Sequence, residues 1–163
     1  DQKYGAMICK FKNKLTHPER EIETTLGNLI ADAFAENAQC DVMLLGSGSV
    51  RVKELGPVVT LNDLIACFPY DDTLTRFTVT GKNLLNIFNH IMRLENRDGE
   101  GECYQVNSKV KAVYDDKKGK LDKIKAKVRK MKNPRLIVLF ITKFFFPPCI
   151  NTIPNDINIS IQP

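Results

Sequence analysis

No tryptophan occurs in the 163 residues, and there are only two histidines, His17 and His90. Neither sits in a constellation that could ligate a metal or serve a Ser/His/Asp order, and no paired-carboxylate pattern replaces them. A complete active site is therefore not expected in this chain. The five cysteines, Cys9, Cys40, Cys67, Cys103 and Cys149, form no CxxC pair and no Cys/His cluster, which argues against a structural zinc site. Their odd number and wide scatter leave disulfides and free thiols equally open. The apolar run LIVLFITKFFF is interrupted by Lys143 and stopped by Pro147 and Pro148. It falls short of the roughly 20 residues that a membrane span needs. A Walker loop is missing too, since no glycine is followed by Lys-Ser or Lys-Thr. The chain opens on Asp1 with no basic and apolar leader pattern, so any targeting segment is expected upstream of it.

What is present suits one globular domain. Hydrophobic residues make up 43% and charged residues 26% of the chain, close to the average for folded soluble domains. The net charge of +5 favours an anionic partner but does not single one out. The stretch TTLGNLIADAFAENA, 24–38, carries Leu26, Leu29, Ile30, Ala33 and Phe34 at helical spacing, with Thr24 or Thr25 as N-cap. Cys40 to Leu45 is short and apolar, as a buried strand is. Val58 and Val59 read as another strand, and Thr60 with Asp63 as a capping box opening the helix LNDLIACF. TLTRFTVT, 73–80, is rich in β-branched residues and reads as a strand. A second helix begins at Thr80–Gly81, with Leu84, Leu85, Phe88 and Ile91 or Met92 as its apolar stripe. The fold class is α+β, a mixed sheet with packed helices.

At 45–51, LGSGSVR follows the apolar run as a glycine-rich turn. It approaches the dinucleotide pattern GxGxxG, but Arg51 stands at the third glycine and VKELGP allows no helix to follow at once. What remains is a strand-end turn in which Gly48 lets the backbone approach closely and Arg51 supplies a fixed positive charge.

YQVNSKVKAVYD and KLDKIKAKVRK alternate apolar and basic residues around DDKKG, which reads as one β-hairpin with a wet, positive face. An alternative function follows from it, a non-catalytic polyanion-binding module using the basic 109–130 hairpin. Such a module would show heparin affinity that falls steeply with salt. The bland reading is a solvated strand face guarded by lysines. No interleaved aromatics are placed for stacking, so specific nucleic-acid binding is not expected. Residues 131–163 change character and are read as a separate hydrophobic and Asn/Ile/Pro-rich tail beyond a domain of 1–130.

Five motifs stand in order: ETTLGNLIADAF at 23–34, DVMLLGSGSVR at 41–51, FPYDDTL at 68–74, TVTGKNLLNIF at 78–88 and YQVNSKVKAVYD at 104–115. Together they resemble the C-terminal, substrate-binding domain of the 5′-nucleotidase and UDP-sugar hydrolase family. The resemblance implies a domain that grips a nucleotide or nucleoside while a separate N-terminal metallophosphatase domain, absent here, holds two divalent metals and the catalytic residues. It implies an extracellular or cell-surface setting, no cofactor in this chain, and as partners the nucleotide or nucleoside and the missing domain, with no membrane span. Carried over by position, Arg20 and Arg51 match substrate-contacting arginines, Gly48 matches the inner glycine of the family's Asn-Gly-Gly-x-Ile-Arg loop, and Tyr70 matches one of two rings that sandwich the base. Gly46 and Ser47 depart from that loop. The family's closing strand and Gly-Gly-Asp-Gly loop, with the second ring, are expected to have no counterpart after Lys130, as in a truncated or misassembled gene product.

Overall fold

The computed structural model describes residues 2–97, 103–126, 135–142 and 159–161. In chain order the elements are α1 (Gln2–Gly5), β1 (Met7–Lys10), β2 (Leu15–Thr16), α2 (Thr25–Asn37), β3 (Val42–Gly46), a 3-10 turn (Ser47–Ser49), β4 (Glu54–Leu55), β5 (Val58–Thr60) and α3 (Leu61–Cys67). They continue with β6 (Thr73–Thr80), α4 (Gly81–Ile91), α5 (Leu94–Arg97), β7 (Tyr104–Val106), β8 (Val110–Asp115), β9 (Lys120–Ala126), β10 (Arg135–Thr142) and β11 (Ile159–Ile161). The mixed α and β composition agrees with the sequence reading.

A five-stranded sheet in the order β11-β6-β10-β3-β7 forms the centre. Its strand β3 is buried at every residue, which explains why the sequence there shows no polar alternation. Met43 and Leu45 point to one core with Leu26, Ala31 and Ala35 of α2, and Val42 and Leu44 point to a second core with Phe77, Val79, Leu84 and Phe88. One strand thus supplies both cores through its period of two.

The helices form where the caps place them. Thr24 accepts a hydrogen bond from the Gly27 amide at the start of α2, and Thr60 and Asp63 complete the capping box of α3. Which face each helix buries differs from the stripe expected from the sequence. In α2 the buried residues are Leu26, Gly27, Ala31 and Ala35, while Leu29 is exposed. Small residues face the sheet there because the helix lies close to it. In α4, Ile87 takes the buried place expected of Leu85, which is exposed.

Two further expectations are corrected. The hairpin is β8 paired with β9 alone, whereas Tyr104–Val106 leaves it to pair with β3. Asn107 makes that break: its Oδ1 accepts from the Met43 amide at 2.9 Å and its Nδ2 donates to the Asp41 carbonyl at 3.2 Å, so a buried side chain ties the chain to β3 between the two strands. The segment after Lys130, read as a separate tail, also contributes a strand to the central sheet. β10 lies between β3 and β6, parallel to the first and antiparallel to the second, within the segment set aside as a tail. Its uninterrupted apolar sequence is what an interior strand of a sheet covered on both faces calls for. Residues 143–158, within which the family's closing loop is expected to have no counterpart, lie outside the described residues, as do Lys127, Arg129 and Lys130.

Candidate functional site

Two of the candidate residues, Gly48 and Arg51, lie just beyond the carboxyl end of β3. There the chain leaves the sheet at Gly46, makes the 3-10 turn, and closes it with the Val50 amide donating to the Ser47 carbonyl at 3.2 Å. Arg51 follows at once. Its Nη1 donates to the Gly48 carbonyl at 3.0 Å, so the turn itself fixes the guanidinium, and the contact occupies one of five N–H donors on an exposed side chain. Gly48 and Arg51 are thus in direct contact.

Tyr70 reaches this place through α3. The Arg51 amide donates to the Cys67 carbonyl at 2.9 Å, which ties the loop to the end of that helix three residues before Tyr70. The half-buried Tyr70 ring stands edge-on to Phe68, with centroids 5.8 Å apart and planes at 87°, and Phe68 packs edge-on against Phe34 of α2 at 5.4 Å. An aromatic ladder anchored in the core therefore presents Tyr70 at its outer end.

Arg20 is exposed, on the irregular segment between β2 and α2. Its tie to the loop is His17, three residues earlier. His17 is only 4% exposed, and its Nε2 lies 3.0 Å from the Ser47 carbonyl oxygen while its Nδ1 lies 2.8 Å from Thr24 Oγ1. A carbonyl only accepts, so Nε2 carries the proton, and in the neutral ring Nδ1 accepts from the Thr24 hydroxyl. Burial pushes the His17 pKa down, the bond to Ser47 works against that, Arg20 pushes it further down, and Glu21 raises it.

Gln105 completes the arrangement from β7. Its Oε1 accepts from the Thr24 amide at 2.8 Å, and its Nε2 donates to the Ile22 carbonyl at 2.7 Å and to Ser47 Oγ at 2.9 Å. The Ser47 amide in turn donates to the Cys103 carbonyl at 2.7 Å. Sequence reading missed His17, Thr24, Ser47 and Gln105 as parts of the site. The available signals were a glutamine inside an otherwise half-apolar strand and a glycine, Gly27, inside a helix. A Cβ at Gly27 would overlap the Gln105 side chain, so that glycine is what admits the glutamine.

A groove of about 780 Å³ lies nearby, lined by Ile22, Phe88, Met92, Arg97 and Tyr104 among others, and none of the four candidate residues lines it. Among the described residues no group of three or more His, Cys, Asp or Glu is placed to hold a metal ion.

The fold has known counterparts. The family model described as 5′-nucleotidase, C-terminal domain, matches residues 7–134. The chain belongs to that family. The 5′-nucleotidase C-terminal domain here is 30% identical over 128 residues to the snake venom 5′-nucleotidase of Naja atra, covering 70% of this chain and 24% of that protein. It is 29% identical over 107 residues to the apyrase of Tabanus yao, covering 59% of this chain and 19% of that protein. This 5′-nucleotidase C-terminal domain chain therefore spans a fifth to a quarter of the length of these relatives. Among solved structures, a 5′-nucleotidase precursor from Thermus thermophilus superposes with a TM-score of 0.63 at 24% identity, over 83% of this chain and 29% of that one. The NAD nucleotidase of Haemophilus influenzae does so with a TM-score of 0.66 at 15% identity, over 86% of this chain and 29% of that one. At such identities the structures speak for a shared fold.

Proposed function

We propose that this chain is the nucleotide- or nucleoside-gripping domain of a 5′-nucleotidase-type phosphoric ester hydrolase, and that it carries no phosphatase chemistry of its own. The observation that carries the reading is Arg51, held by the Gly48 carbonyl at the carboxyl end of β3 and tied through Cys67 to the segment bearing Tyr70. In this reading Arg51 and Arg20 donate to hydroxyl or phosphate oxygens, and Tyr70 offers its face to the base. Guanidinium donors in a fixed fork suit such oxygens, and stacking a base on an aromatic ring contributes about 1–3 kcal/mol.

Two divalent metals and the catalytic residues would belong to a metallophosphatase domain outside this chain. No described helix is long and apolar enough to cross a membrane. Kinship with a venom 5′-nucleotidase supports an extracellular or cell-surface setting.

Calorimetry with adenosine and adenosine 5′-phosphate tests the grip. The wild-type chain should bind weakly, and the Arg51→Ala/Tyr70→Ala double variant should lose at least tenfold in affinity, about 1.4 kcal/mol. Equal affinity in the two proteins would overturn the assignment.

A further inference from the structure

We propose that His17 is a positioning residue for the nucleoside grip: through the Ser47 carbonyl it sets the angle of the turn that carries Gly48 and Arg51, with Gln105 locking both to the segment that carries Arg20. The inference rests on the preceding reading of Arg20 and Arg51 as ligand contacts. It adds a residue that touches no ligand.

The geometry has three parts. Ser47 is the first residue of the 3-10 turn, and every polar group it has is engaged: its amide with Cys103, its hydroxyl with Gln105, and its carbonyl with His17 and the Val50 amide. The Gly48 carbonyl that holds Arg51 is one peptide unit further on, so a rotation at Ser47 redirects Arg51 directly. The third part is the far side of the clasp. His17 and Gln105 both bind Thr24, and Gln105 also binds the Ile22 carbonyl, so residues 17–24 are held at both ends against the turn. Arg20 lies between those ends. His17 and Gln105 are 4% and 0% exposed, and a buried carbonyl deprived of its donor is costly enough to make the turn move.

The donor at Nε2 matters here, not the ring. Glutamine places an amide nitrogen at the same distance from the backbone and can donate to Ser47, whereas leucine fills the space without donating. The test compares His17→Leu and His17→Gln with wild type by calorimetry against adenosine, with circular dichroism to confirm that each is folded. His17→Leu should bind about tenfold more weakly, the loss of one buried hydrogen bond, and His17→Gln should recover to within about threefold. A second readout follows the His17 ring nitrogens by NMR in a His90→Gln background. Adenosine should shift them although they touch no ligand. Wild-type binding that His17→Leu leaves unchanged, or a ring signal that ignores adenosine, would overturn the positioning role alone. No binding of adenosine by wild type at millimolar concentration would overturn the grip and this inference together. If His17→Leu does not fold, His17→Gln decides: binding as weak as the Arg51→Ala/Tyr70→Ala variant counts against the donor argument.

Discussion

A buried histidine with two hydrogen-bond partners makes stability depend on pH. Burial, with Arg20 adding to it, outweighs the bond to Ser47 and the nearness of Glu21, and holds the folded pKa of His17 below its ordinary value. His90 is shifted the same way by burial and by Arg93, against an opposing effect of Glu95. The unfolded chain therefore takes up protons first as the pH drops below about 6.5, and binding protons in the unfolded state lowers stability. Stability should be fully present above that value and fall as the pH passes down through the folded pKa values. Thermal unfolding of wild type between pH 7.5 and 5 should show the decline, and His17→Gln should flatten it. A wild-type melting temperature that rises over that interval would contradict the sign.

Among the elements, β10 has the most to do for its length. It gives both β3 and β6 their neighbours, and without it two interior strands would each lose a row of backbone partners. A chain ending at Lys130 should accordingly fail to unfold cooperatively in urea, whereas residues 1–163 should give one sigmoidal transition. A sharp transition for the shorter chain, with the same midpoint, would show that the sheet closes without β10. The elements were legible in the sequence to different degrees. β3, β5, β6, the capping box at Thr60 and the helix starts near Thr24 and Thr80 were readable because strand period and cap chemistry are local. β7 was merged with the hairpin because Asn107 breaks the alternation through bonds to residues more than sixty positions away. β10 was set aside because an apolar run alone does not say which strands will flank it.

On the scale of the whole molecule, membership of the 5′-nucleotidase C-terminal domain family describes a part that works with another part. The chain spans 24% of the length of the Naja atra relative, so the inactivity proposed above for the isolated chain is a matter for assay. The purified chain, incubated with adenosine 5′-phosphate and added zinc or manganese, should release no phosphate above the metal-only control. Robust turnover would require catalytic groups that the described residues do not assemble. The candidate site was half legible at this scale. Arg20, Gly48, Arg51 and Tyr70 were all assigned by motif position, whereas the buried His17 and Gln105 stand in no motif that marks them as part of the site.

The sequence by itself determined β3, β5 and β6, the capping box at Thr60, and that Arg51 would stand directly beyond a glycine-rich turn, because those outcomes depend on residues a few positions apart. Only the tertiary structure decided which helix faces were buried, that β10 would enter between β3 and β6, and that His17 and Gln105 would close around Ser47 and Thr24. The clasp alone joins groups 7 to 81 positions apart. Periodicity says which side chains share a face, and leaves open what will cover it. The buried polar clasp is the clearest instance, since a histidine and a glutamine carry no hydrophobic pattern and gain their place only when each finds a partner that water no longer supplies.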